Sequence, residues 1–494
     1  MKGPVQRLHT SYLTADEKAL LMCQAALDLK DRGEYFKAQE VMRPLWKGLE
    51  TRPLVRGLHP TVAAEVLLCV GILTRWIGSR NRTREAQTAA KDLITESMTA
   101  YEALGDVLKV AAARAELGYC YWREGAFGEA RIWFDQALQK LTTEGTTRAN
   151  ALLGLAVVEW ADSRYAESLR ILTANSALFQ RIANHTIKGA YHTQVAMVLS
   201  NLITPENKSD YIQRAINEFK EADNHFRQAR HIGFRADVKN NVGFLLYKIS
   251  RFEEAHRYLD EARRLASSLK DRIRVAQMDD TKAQVFIAEG KPKEAEAVAR
   301  RAVSVLEKTD HYCLLADMLI THGITLARLS DDTTERAHIE LQQAIEVALR
   351  VDAYNKAGLA ALILIEELAA DLSPEVLIAA YYRADEWLSD LQSNHDVQLR
   401  LSNAARKVLG RKPLEFHQAI ELPFTSCSLR DEVREFEGTL IRRALIATNG
   451  SVTKAAALLG TTHQALAPII AKRHPDLLKV RSPVLRRPRK LPLS

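Results

Sequence analysis

The sequence predicts an all-α chain: a long array of paired helices followed by a small separate three-helix module. Apolar residues recur at helical spacing, with few β-branched runs and few prolines, up to about residue 405. A small residue is followed 12 positions later by an alanine, unit after unit. Composition then changes at 411–428, which carries Pro413 and Pro423 and no sustained period, and a new apolar stripe begins near Leu429.

Taken in order, residues 1–14 form an N-terminal tail without the apolar stretch of a secretory signal. The array runs over 15–350. Its first, weak unit places Ala26 before Ala38, and the stretch 50–105 is degenerate. The clearest unit, 115–138, sets Gly118 before Ala130, Phe134 and Ala137. Gly154 before Ala166 is a weaker copy, and 175–235 is again degenerate. The pattern returns as Gly243, Ala255, Leu259 and Ala262, then as Ala283, Ala295, Ala299 and Ala302. Gly323, Ala337, Leu341 and Ala344 follow, with two extra residues in the turn. Residues 351–410 add helices that close the array.

The spacing has a mechanical reason. Small residues at the first two positions let two antiparallel helices approach, and the later large and small residues fill the groove shared with the next pair. This pattern resembles tetratricopeptide repeats, whose unit is about 34 residues. The resemblance implies a superhelix in which the first helix of each pair lines a concave surface for a protein or peptide. Candidate concave residues are Asp237, Asn240, Phe244 and Tyr247 in one repeat and Gln277, Asp280 and Gln284 in the next. Tetratricopeptide clamps for a C-terminal carboxylate use Lys, Arg and Asn at set positions of successive repeats. Here Asn240 and Asn241 are followed by Asp280 and Ile320, so a full clamp is not expected.

After the 411–428 linker, apolar Val433, Phe436, Leu440, Ile441, Ala444 and Leu445 mark one face of a long helix, started by Ser428 or Asp431 and stopped at Asn449-Gly450. Ser451 caps a short helix that Gly460 ends, and Thr461 with Gln464 has the form of a capping box opening a third helix. Three helices with a tight turn between the last two make a helix-turn-helix. The run "GSVTKAAALLG", with Ala455, Ala456, Leu459 and Gly460 at packing and turn positions, resembles the Fis-type DNA-binding domain over about 432–474, within a module spanning 429–478. That resemblance implies a bacterial transcriptional regulator, a homodimer formed through the long first helices and a recognition helix reading an inverted-repeat DNA site. It assigns phosphate contacts to Ser451 and Thr453 and base-edge or phosphate contacts to Thr462 and His463, and Gln464 can reach adenine. Ala465, Ala467, Pro468 and Ile469 depart from the family's polar contacts. Pro468 lies in the second turn if the helix starts at Thr461, or in the first turn if it starts near Ala465.

Charge supports a polyanion at this end. Lys472, Arg473 and six further Lys/Arg up to Lys490, against Asp476 alone, account for nearly all of the chain's formal +8. Arg486, Arg487 and Arg489 in the basic tail 479–494 join Lys472 and Arg473 as expected DNA contacts.

No site chemistry is expected in the array. Cys23, Cys69, Cys120, Cys313 and Cys427 form no CxxC pair and read as isolated thiols in helix cores. His185, His192, His225 and His231 lack partners at ligand spacing. No G-x-x-x-x-G-K, H-E-x-x-H or G-x-S-x-G motif occurs, so neither an enzyme nor a bound cofactor or metal is expected. No apolar run of about 18 residues is read as a membrane span, and a cytoplasmic protein is expected. Two functions follow: a sequence-specific DNA-binding regulator whose array docks a protein or peptide, or an adaptor whose terminal module serves dimerisation or nonspecific nucleic-acid binding.

Overall fold

The computed structural model describes residues 13–81, 84–204, 206–389, 395–410, 429–448, 450–459 and 461–480. All regular structure among them is helical, and the contacts divide the chain into two units, Met1–Arg411 and Lys412–Ser494.

The first unit is a succession of hairpins. Its helices are α1 (Ala15–Asp31), α2 (Tyr35–Met42), α3 (Pro60–Asn81), α4 (Arg84–Ala103), α5 (Val107–Arg123), α6 (Phe127–Lys140), α7 (Thr146–Ala161) and α8 (Tyr165–Ala174). They continue as a short α9 (Ser176–Arg181), α10 (His185–Asn201), α11 (Lys208–Gln228), α12 (Ile232–Lys248), α13 (Phe252–Ser268), α14 (Arg272–Ala288) and α15 (Pro292–Leu306). The unit ends with α16 (Tyr312–Ala327), α17 (Thr334–Leu349), α18 (Tyr354–Leu368), α19 (Pro374–Trp387) and α20 (His395–Leu409). Each helix packs chiefly on its neighbours in sequence, as expected of a quasi-one-dimensional array. Many hairpin turns need one residue in the left-handed region. Gly33, Gly105, Gly125 and Gly290 supply it in some, and Ser163, Arg230, Ser250 and Lys270 carry the same positive φ in others.

The small-residue register has a direct structural meaning. A Cβ on Gly118 would stand 2.8 Å from the Phe134 ring, and one on Gly154 would stand 2.3 Å from the same ring. Phe134 therefore fills a slot between its own hairpin partner α5 and the following α7, and is fully buried there. Leu259 against Gly243 and Leu341 against Gly323 repeat the arrangement at 2.8 and 2.7 Å. A Gly154→Val substitution should then lower the array's stability by about 1 to 3 kcal/mol through overpacking. Urea unfolding of the full chain reads this, and an unchanged midpoint would refute the close approach.

One segment corrects the sequence reading. Pro60–Gly78 is long and apolar enough to cross a membrane by length and composition, with mean hydropathy 1.6. It passes that test because α3 is a core helix: 78% of the apolar window is buried inside the array. The expected thiol environment is seen at Cys23, Cys69 and Cys120, all buried, with the Cys69 thiol donating to the Cys23 carbonyl at 3.7 Å.

The second unit comprises α21 (Leu429–Ala447), α22 (Val452–Leu458) and α23 (His463–Arg473), then a 3-10 turn over Pro475–Val480. Ile441, Ala444 and Leu445 of α21 bury against Val452, Ala455 and Ala456 of α22 and Leu466 and Ile470 of α23. Leu440, read as part of the same buried face, is 38% exposed.

Candidate functional site

Six first helices, α1, α3, α5, α7, α10 and α12, turn their inner faces toward one cavity of about 570 Å³. Its floor is aromatic: Tyr35 stacks on Trp76 at 5.8 Å, and Trp76 meets Phe234 at 6.3 Å. The turn after α1 closes one side, where Asn184 donates to the Asp31 carboxylate at 2.9 Å and Thr186 to the Asp31 carbonyl at 2.7 Å.

The cavity's charges are ordered. Arg75, only 4% exposed, donates to Glu116 at 2.7 Å, and Asn150 donates to the same carboxylate at 3.3 Å. Burial opposes the Arg75 charge, yet Glu116 beside it more than offsets this and holds the guanidinium above its ordinary pKa. Lys109 pairs with Glu65 at 2.6 Å, and Lys30 with Asp31 at 2.7 Å. Asp237 receives a bidentate pair from Arg274 at 2.7 and 3.1 Å. Arg123 lies over the Trp122 ring at 4.4 Å and lines the cavity, with its side chain exposed. Desolvation by those walls, with Arg75 nearby, pushes its pKa down to about 10.

The residues proposed from sequence divide between two places. Asp237 lines the large cavity, already engaged by Arg274. Asn240, Phe244, Gln277, Asp280 and Gln284 come together with Asp317 around a second cavity of about 250 Å³. Asp280 accepts from Thr321 at 2.6 Å and from Gln284 at 3.1 Å. Burial, with Asp317 adding to it, pushes its carboxyl up to about 7. Tyr247 does not join them; it packs on the core edge-on to Phe244.

The larger cavity went unread, although the same register finds part of it. Asp237, Asn240, Phe244 and Tyr247 stand at −6, −3, +1 and +4 from Gly243, and counting likewise from Gly118 reaches Tyr119 and Trp122. Arg75 and Arg123 carry no such mark.

Three of the four histidines come together in space. His185 and His225 bring their Nδ1 atoms to 3.1 Å, the His192 ring stacks on His225 at 5.4 Å, and His192 Nδ1 lies 2.6 Å from Glu218. They meet because α10 and α11 are hairpin partners, which spacing along a single helix does not reveal. Burial first, then its two imidazole neighbours, pushes His225 down to about 4. Among the described residues no group of three or more His, Cys, Asp or Glu is placed to hold a metal ion.

In the second unit Ser451 caps α22 by accepting from Lys454 N at 3.5 Å, and Thr453 is exposed. The expected Thr461–Gln464 box is replaced by a cap one residue later. Thr462 accepts from Ala465 N at 3.3 Å, so the third helical residue is Ala465, which has no side-chain acceptor to complete a box. The helix starts at His463, between the two expected starts, and Pro468 lies inside it, leaving the Gln464 carbonyl without its helical donor. Thr462, His463, Gln464 and Lys472 are exposed. Arg473 turns back onto the first helix, 3.1 Å from Glu437, while its carbonyl accepts from Arg434 at 2.8 and 3.1 Å. His474 completes this contact, with Nε2 2.9 Å from the same Glu437 carboxylate. Arg486, Arg487, Arg489, the linker, Asn449 and Gly460 lie outside the described residues.

No protein-family model and no curated protein matches this sequence. Among solved structures, the apo form of RapI is 13% identical, with 76% of this chain covering 99% of that one at a TM-score of 0.50. A signal transduction ATPase with numerous domains and a tetratricopeptide repeat sensor, from Pyrococcus horikoshii, is 14% identical at a TM-score of 0.51. That match covers 80% of this chain and 57% of the other. The apo quorum sensor NprR from B. thuringiensis is 14% identical, with 69% and 91% covered and a TM-score of 0.48. The likeness at these identities is one of fold: an all-helical, tetratricopeptide-like superhelical array.

Proposed function

We propose that this chain is a cytoplasmic, sequence-specific DNA-binding regulator, not an enzyme, whose array takes a peptide or protein ligand. The carrying observation is the C-terminal trio of helices. α22 and α23 are joined by a short turn, both N-termini are capped by hydroxyl side chains, and the exposed start of α23 presents Thr462, His463 and Gln464. The Fis-type resemblance supports reading this unit as a homodimer on an inverted repeat. Because Arg473 is occupied by Glu437, phosphate attraction falls on Lys472, Lys454 and the basic tail. The array supports the ligand half: a large cavity assembled from the first helices of successive repeats is where such a fold receives an extended partner.

DNA selection with the purified full chain tests the reading. A defined inverted repeat is expected, and Gln464→Ala should relax one position in each half-site at a cost of about 1 to 3 kcal/mol. Steeply salt-dependent binding with no preferred sequence, unaffected at Gln464, would replace this reading with that of an adaptor that holds nucleic acid nonspecifically.

A further inference from the structure

The large cavity shows which chemistry its occupant must bring. Asp31, Glu65, Glu116 and Asp237 each line it, and each has its own cation, respectively Lys30, Lys109, Arg75 and Arg274. Arg123 is left over: among the described residues no carboxylate lies within ion-pair distance of its guanidinium, and its polar environment includes Arg75 instead. Unmatched side-chain atoms in the walls have the same sense. Among the described residues, Arg75 Nε and Gln194 Nε2 are buried donors without an acceptor. His231 Nδ1 accepts from Phe234 N at 3.1 Å, which puts the ring proton on Nε2, again a donor without a partner. A cavity whose carboxylates are all paired and whose unpaired groups are donors is complementary to an acceptor-rich anion.

We propose that the cavity binds a carboxylate-bearing peptide, with the carboxylate on Arg123. This rests on the reading of the array as a peptide receptor. The guanidinium carbon stands 4.4 Å from the Trp122 ring centroid, a cation–π contact that leaves the N–H donors of Arg123 available for a bidentate carboxylate. The carboxylate can come from a chain terminus or from an Asp or Glu side chain; both offer the same planar pair of oxygens.

Affinity selection with the full chain decides. Four pools of random heptapeptides serve as probes: one with free C-termini and all residues, the same pool amidated, a pool with free C-termini but without Asp and Glu, and that last pool amidated. Wild type should retain acid-bearing peptides at least tenfold over peptides that are both amidated and free of Asp and Glu. Loss on amidation alone assigns the terminus, and loss on removing Asp and Glu assigns the side chain. Arg123→Gln should abolish the preference, Arg123→Lys should keep part of it, and circular dichroism checks that both fold. Equal retention of acid-bearing and acid-free peptides, unchanged in Arg123→Gln, would overturn the anion site while leaving a peptide receptor. If no pool is retained, glutarate is the second probe, read by intrinsic tryptophan fluorescence: an Arg123-dependent response keeps the anion site and removes the peptide, and no response removes both.

Discussion

Glu116→Ala should cost the array about 3 to 5 kcal/mol, because it strands Arg75 as an unpaired buried charge. The arginine is 4% exposed, its Nε lacks an acceptor among the described residues, and the Tyr119 ring lies at 4.9 Å, so water entering from the cavity would restore only part of the lost interaction. Glu116→Gln keeps an oxygen for the guanidinium and the volume of the side chain, and should cost less, about 1 to 3 kcal/mol. Urea midpoints of the two variants against wild type read the difference. Equal losses would mean that the charge of Glu116, rather than its shape or its acceptor oxygen, sustains the site. The two variants also separate stability from recognition: with Glu116 neutralised, Arg75 becomes a second unmatched cation beside Arg123, and affinity for a carboxylate peptide should rise while the fold weakens.

Interactions of this kind set the limit of what could be read from the chain. The hairpin register was legible at Gly118, Gly243 and Gly323 because a glycine and the large residue it receives lie within one repeat, and close helix packing restricts both. The pairing of Arg75 with Glu116, 41 residues apart, depends on two different repeats stacking, and neither residue type is unusual on a helix. The second cavity was legible in part because its residues occupy the same concave register as Asp237 and Asn240. Tyr247, in that register too, instead packs on the core. At the start of α23, Thr461 and Thr462 are both competent caps, and a one-residue shift decides whether Gln464 or Ala465 stands at the boxed position. Local pattern could not separate them, so neither predicted helix start was the observed one.

His231 should make the array acid-labile. The ring is 3% exposed, stacks on Phe234 at 3.8 Å, and lies against Gly33, where a Cβ would come within 2.7 Å of it. Its Nδ1 caps α12, an acceptor that protonation would remove. Burial is the main cause that pushes its pKa down to about 3, with Arg274 and Lys30 opposing a positive charge there and Asp31 favouring one. The unfolded chain titrates near the ordinary histidine value of 6.5, so between these two values it binds more protons than the folded chain. The contribution of His231 is therefore complete above about pH 6.5 and is lost as pH falls toward 3, reaching roughly 3 kcal/mol by pH 4. His231→Asn provides the control, since asparagine can still cap the helix but does not titrate. Its unfolding midpoint should fall less than that of wild type between pH 7 and pH 4, and parallel curves would show that another group drives the acid loss. The same substitution bears on the cavity, because the turn at Gly33 that closes one wall rests on this ring. Protonation of wild type would push a charge against that turn, so ligand retention and array stability should decline together over the same pH interval, and both should decline less in His231→Asn.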